Sequence, residues 1–222
     1  LKIETMFYKI SNIADRKSIE ERFHVSFEFP NLYKPKALID GLKESTISVI
    51  TQSDPHKAVY AIWGLLPENF EDNWSVFQDV VNTLNVKLET LENSNGLYSN
   101  LLQNRRCIII ATGFFTTWLA NGTVERCHVH LPNYEPFAIA GVFNELSDGF
   151  ITCSIVVTKI SESFKDIPNI SNLKPLVLND RELKQWLDFS TSLEQIKKLC
   201  DDHNSLNFEY EIHESESSKI KS

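Results

Sequence analysis

Arg105-Arg106-Cys107-Ile108-Ile109-Ile110-Ala111-Thr112-Gly113-Phe114-Phe115 is the stretch on which the reading of the fold turns. Cys107 to Ala111 is a β-rich apolar run, and the two arginines ahead of it begin the strand. Their side chains therefore point to opposite faces, so that only one can line a given groove while the other supports structure. Three more β-rich runs follow, Cys127 to Leu131, Phe137 to Phe143 and Phe150 to Ile160. The turns between them, marked by Asn121-Gly122, Pro132-Asn133 and Asp148-Gly149, suit hairpins between antiparallel strands.

Upstream, Thr46 to Thr51 and Lys57 to Trp63 read as strands joined by a hairpin at Ser53-Asp54-Pro55. The chain opens with an apolar-alternating strand, Thr5 to Ile10, and Ser11-Asn12 offers a cap for a helix from Ala14 to Phe23. Two prolines exclude regular helix over Phe29 to Pro35, which reads as an extended crossing segment. Helical spacing marks Trp74 to Val81, and a loop at Asn93 to Gly96 precedes a short helix over Leu97 to Gln103. Asp180 can cap a helix through Leu187, and Thr191 to Glu194 forms a capping-box pattern before another helix to about Asp202. Phe208 to Ile212 looks like a last strand. Helices around a run of hairpins, with no βαβ alternation and no internal repeat, predict an α+β domain with a largely antiparallel sheet. Residues 1–213 form one such domain in this reading, and residues 214–222 a polar tail.

A net charge of −8 in 222 residues argues against a protein that coats duplex DNA, because that attraction needs Lys and Arg to displace counterions from phosphates. A local basic groove remains open to it. No apolar run approaches the roughly 18 residues that cross a bilayer, and residues 1–10 lack a signal-peptide pattern, so the expectation is a cytoplasmic, monomeric protein. Four widely spaced cysteines, Cys107, Cys127, Cys153 and Cys200, read as free buried thiols. Cys127-His128-Val129-His130 places two histidines on one face of a strand, half of a transition-metal site. No carboxylate or further His lies at a familiar ligand spacing, so the pair reads as packed or solvated, with no metal and no cofactor. His24, His56, His203 and His213 are isolated, and there is no Gly-rich phosphate loop or GxSxG elbow.

Read with Asn85-Val86-Lys87-Leu88-Glu89-Thr90, the Arg105 to Phe115 block resembles the core signature of the SRAP family, SOS response-associated peptidase-like proteins that capture abasic sites in single-stranded DNA. Met6-Phe7, Trp63-Gly64-Leu65-Leu66-Pro67-Glu68-Asn69, Ala140-Gly141-Val142-Phe143, Lys174 to Leu178 and Gln185-Trp186-Leu187 continue the resemblance in the family's order. It covers nearly the whole chain, and it implies the family's barrel-like antiparallel core with flanking helices in a DNA-damage setting.

The resemblance also implies losses. Where the family uses the amine and thiol of an N-terminal Cys to trap the opened sugar as a thiazolidine, this chain has Phe7, preceded by further residues. The family's Glu falls on Thr116, which cannot serve as a carboxylate base, and its His falls on Pro168, or on Ser171 if the alignment shifts. Asn85 persists, and Lys87 replaces the Arg that follows it. The implied protein binds single-stranded or abasic-site DNA without covalent capture. Asn85 and Lys87 would meet phosphate and sugar, unless Asn85 only ties a loop together. Trp63, Pro67 and Phe70 would form a stacking wedge weakened by Asn69, unless Trp63 is core, and Arg105 or Arg106 would line the groove. Two alternatives stand beside it: an active enzyme using another nucleophile, such as Lys87 or Lys9 through a Schiff base, and a non-enzymatic protein-interaction module.

Overall fold

The computed structural model describes residues 7–92, 96–120, 122–201 and 206–213. The expected strand start at Thr5, the Asn93 to Asn95 loop, Asn121 and the 214–222 tail fall wholly or partly outside them. The first half of the chain runs β1 (Lys9–Asn12), α1 (Arg16–Phe23), β2 (Ser26–Phe27), β3 (Lys36–Asp40), β4 (Thr46–Thr51), β5 (Asp54–Trp63), α2 (Trp74–Val80), β6 (Asn85–Lys87), α3 (Leu88–Glu92) and α4 (Leu101–Asn104). The second half runs β7 (Arg106–Ala111), β8 (Gly113–Ala120), β9 (Thr123–His130), β10 (Phe137–Glu145), β11 (Ile151–Lys159), β12 (Leu173–Pro175), β13 (Val177–Leu178), α5 (Asp180–Leu187), α6 (Leu193–Asp201) and β14 (Glu209–His213). No helix among the described residues is long and apolar enough to cross a membrane.

Five strands close into a ring. β11, β10, β7, β4 and β5 pair antiparallel in that order, and β5 returns to β11 in parallel register, Ala61 against Ile151 and Trp63 against Cys153. Beyond that seam β6 takes over the edge of β11, again in parallel, with Asn85 opposite Ile155. The sheet is thus largely antiparallel, as expected, with parallel pairs at β5–β11, β6–β11 and β2–β5. A second sheet, ordered β14-β9-β8-β1-β3, is antiparallel throughout.

The period of two along each strand sorts the side chains into two cores. Cys107, Ile109 and Ala111 of β7 face the ring interior with Val49, Ile139, Ile155, Trp63 and Phe114. Ile108 and Ile110 face outward, where Trp186, Leu187, Ile196 and Ile19 of the helices cover them. That explains a strand buried on both faces. Gly141 lies where an added Cβ would meet Ile109 Cδ1 at 2.4 Å, so the β7–β10 contact requires its bare backbone.

Several boundaries differ from the sequence expectation for local reasons. β7 ends at Ala111 as expected, but β8 has no counterpart among the expected strands: the Thr112 backbone N–H turns to Ser11 O at 2.8 Å and delivers β8 to the second sheet. The first helix is capped by Asp15, whose carboxylate accepts from Ser18 N at 3.0 Å, while Ser11 and Asn12 belong to β1. The cap of α5 is Asn179 rather than Asp180, because Glu182 reaches back to the Asn179 N–H at 2.8 Å and completes a capping box. The crossing segment contains a short 3₁₀ turn at Pro30–Leu32, and β3 after it carries no alternation that would have announced it.

Arg106 is 1% exposed, which corrects its expected place in a DNA groove. Its Nε donates to Trp186 O, Nη1 to Leu102 O at 2.7 Å and Gln103 O at 3.1 Å, and Nη2 to Asp188 O at 2.7 Å. These are carbonyls at the C-terminal ends of α4 and α5, where the helix dipoles favour a cation. Burial lowers the Arg106 pKa to about 10, with Asp188 opposing, which leaves it charged at neutral pH. Arg105, by contrast, is half-buried with its guanidinium 5.7 Å from the Phe143 ring. Arg106→Met should therefore lower unfolding free energy in a urea titration by about 3 kcal/mol, since it orphans four carbonyls. Arg106→Lys should recover only part of this because an ammonium lacks the guanidinium fork, and Arg105→Ala should cost about 1 kcal/mol or less.

Candidate functional site

The positions singled out as reactive equivalents come together in two bonded pairs. Asn85 Nδ2 donates to Phe7 O at 2.8 Å, and Thr116 Oγ1 donates to Pro168 O at 2.6 Å. Asn85 is held there because β6 pairs with β11, which presents its side chain to the N-terminal strand. The Phe7 ring is 3% exposed and packs edge-on against Phe114 at 5.8 Å. Phe114 stacks in turn on Phe164 at 6.0 Å and lies two residues before Thr116, so both pairs border one aromatic cluster. Asn85 Oδ1 is buried with no hydrogen-bond partner among the described residues.

This constellation holds an amide, a hydroxyl, a phenyl ring and a proline, none of which ionises near neutral pH. Cys127 stands directly opposite Thr116 on β9, and burial pushes its thiol up, with the neighbouring Thr116 hydroxyl opposing. Burial likewise raises Cys107 and Cys153. A thiol kept protonated is a poor nucleophile, so these cysteines serve as core.

The residues expected to touch DNA separate. Trp63 is fully buried, with its indole N–H bonded to Leu84 O at 2.9 Å, and it has no face left for a base to stack on. The apolar ring interior claims it, which removes it from the wedge. Phe70 packs on Phe77 at 5.1 Å. Pro67 and Arg105 line one recess of about 480 Å³ with Asn104, Asn144 and Glu68, and Asn69 is exposed nearby with its amide oxygen 3.1 Å from Ser147 Oγ. Lys87 is half-buried on the Asn85 strand, and Lys9 is paired with Asp40 at 3.3 Å. A larger groove of about 1160 Å³ is flanked by Glu28, Glu44, Glu71, Asp72 and Asp148 against Lys34 and Lys36, a charge balance that repels phosphate.

A further cluster forms on the outer face of the second sheet. β14 pairs with β9 so that Glu211 lies opposite His128, and one ligand-type atom each of His128, Glu211 and His213 falls within 4.8 Å of the others. Phe115 stacks on His128 at 4.4 Å, and Tyr134 on His130 at 4.1 Å. Burial first, then His130 and His213, lower the His128 pKa to about 4, which leaves the ring neutral near pH 7. The sequence reading left His213 isolated. Its only signal was Glu211-x-His213 repeating the period of His128-x-His130 on a strand whose partner the sequence does not name.

Comparison with known proteins places these features in a family. Residues 6–216 match the SOS response associated peptidase (SRAP) family. The abasic site processing protein HMCES of Gallus gallus is 24% identical over 153 residues, covering 58% of this chain and 44% of that relative, so the match spans less than half of the curated protein's length. Among solved structures, a Bacteroides thetaiotaomicron protein superposes with a TM-score of 0.81 at 18% identity, over 96% of this chain and 94% of that one. A Bordetella bronchiseptica protein superposes with a TM-score of 0.75 at 13% identity, over 94% of this chain and all, 100%, of that one. At those identities the superpositions speak for the fold alone, while the match over residues 6–216 decides the kinship: the chain belongs to the SRAP family.

Proposed function

We propose that this SRAP-family chain recognises single-stranded or abasic-site DNA without forming a covalent bond to it. The observation that carries this reading is the Phe7–Asn85 pair. An SRAP scaffold retains the polar amide, yet the amide is engaged by a backbone carbonyl, and the adjoining space is filled by a phenyl ring. Thr116 and Pro168, bonded to each other, offer no group to move a proton during adduct formation. The relative's name, abasic site processing protein, supplies the substrate class.

The recess at Pro67 and Arg105 is the better seat for a strand than the larger groove. It sets Arg105 and amide side chains suited to phosphate and sugar beside a single carboxylate, Glu68, whereas the groove carries a net acidic balance. That acidic groove favours a second reading, a module whose partner is a basic protein segment.

Fluorescence anisotropy with a labelled oligonucleotide carrying an abasic site, at two salt concentrations, separates these readings. Saturable binding that weakens with salt, and weakens further in Arg105→Ala, is expected of the DNA reading. Absence of saturable binding at low salt would overturn it and leave the protein-interaction module. On a denaturing gel the same oligonucleotide should run free of protein, with and without borohydride. A borohydride-trapped band lost in Lys87→Ala would instead establish Schiff-base chemistry. Phe7→Ala should cost about 3–5 kcal/mol of stability by opening a cavity beside Phe114, measured by urea unfolding, without creating a crosslink.

A further inference from the structure

The His128 cluster is assembled by strand register. On β9, His128 and His130 share a face because they are two residues apart, and so do Glu211 and His213 on β14. The antiparallel pairing sets Glu211 opposite His128 and His213 one step along the same face. β8 contributes shape. Gly113 lies opposite His130, and a Cβ there would come within 2.2 Å of His128 Nε2, so the bare backbone of Gly113 is what admits the imidazole. With Nε2 seated on Ser11 Oγ at 2.8 Å, Nδ1 is the nitrogen His128 has left to offer.

His130 supplies an independent observation. It is 4% exposed, its Nδ1 is 2.9 Å from Leu131 O, and its Nε2 is buried with no hydrogen-bond partner among the described residues. A ring whose Nδ1–H is donated to a carbonyl presents a bare lone pair at Nε2, the arrangement that orients histidines toward metals. That lone pair faces Glu211 Oε1 across 3.9 Å. A proton or a metal ion between the two atoms would turn this facing pair attractive. Glu211 is also braced from outside by the Tyr134 hydroxyl, which donates to Oε1 at 2.8 Å.

We infer that His128, Glu211 and His213 form a site for a divalent transition-metal ion of the zinc class, which staples the edge strand β14 to β9, with the unpartnered His130 Nε2 beside it. The donor set is two imidazoles and one carboxylate with a fourth position for water, a combination that suits Zn²⁺ and Co²⁺ and not Mg²⁺ or Ca²⁺. Bonds of about 2.0–2.1 Å in a tetrahedron separate ligand atoms by about 3.4 Å. Glu211 and His213, both exposed, have the freedom to rotate and close the present spacing of up to 4.8 Å among His128, Glu211 and His213. Buried His128 is the fixed ligand, and the two exposed ligands come from the strand that needs holding, since all five residues of β14 are exposed. This cluster faces away from the ring, on the opposite side of β8 and β9 from Thr116 and Cys127.

Isothermal titration of the full, untagged chain with Zn²⁺, repeated with Co²⁺ while following visible absorption, tests the assignment. One equivalent should bind, Co²⁺ should give the intense d–d bands of tetrahedral coordination, and Zn²⁺ should raise the thermal unfolding midpoint in proportion to occupancy. His213→Ala and Glu211→Gln alter exposed residues and should leave the metal-free fold intact while each weakens binding by about tenfold or more. His56→Ala, a control elsewhere on the surface, should leave it unchanged. No saturable binding, or binding that both ligand variants leave untouched, would overturn the proposal.

Discussion

An odd number of strands cannot close into a ring with every neighbour antiparallel. Five strands whose directions alternate leave the first and last pointing the same way, and here those two are β11 and β5, joined in parallel register. Parallel neighbours need a long crossover between them. The chain meets that need by sending everything from α2 to β10 out from the end of β5 before β11 closes the seam. The site inherits its position from this requirement, because β6 continues the seam along β11 and carries Asn85 to the N-terminal strand.

The ring also explains how an amide can be buried at this junction. Asn85 is buried against a backbone carbonyl, so it stabilises the junction of β6 with the N-terminal segment whether or not any ligand is present. Phe7 adds apolar burial to the same junction, and its edge-on contact with Phe114 joins the second sheet to the ring. Thr116 and Pro168 do the equivalent on the other side, fixing the loop before β12 to β8. Each of these residues offers packing or a neutral hydrogen bond and no ionisable group. Neutral side chains lower the cost of burying this wall of the ring.

Much of the architecture was legible in local pattern. The β4–β5 hairpin, the strands after Arg106 and the helices at 74–81 and 181–187 follow from alternation, turn residues and helical spacing that tertiary packing did not override. What escaped was set by distant contacts. β8 could not be recognised as a strand without knowing that the Thr112 amide turns to Ser11, nor could Trp63 be withdrawn from a binding surface without the ring that encloses it. The pair Arg105-Arg106 was half legible: alternation requires opposite faces, but only the converging ends of α4 and α5 decide which arginine goes inside. At the site, the neutral character of Phe7, Asn85, Thr116 and Pro168 was readable one by one, while the bonds Phe7–Asn85 and Thr116–Pro168 depend on how the loops return.

The two faces of the β8–β9 ribbon have separate obligations. Toward the ring, Phe114, Thr116, Cys127 and Val129 must be compact and uncharged, because any ion there would be desolvated without a partner. Toward the outside, Phe115, His128 and His130 pack under Tyr134, Ser11 and the exposed strand β14, and polar side chains line that face. A substitution on one face changes the other only through the backbone that both share, and that backbone is pinned by eight cross-strand residue pairs from Gly113–His130 to Ala120–Thr123. The neutral lining inside the ring therefore places no physical constraint on what the outer histidines bind.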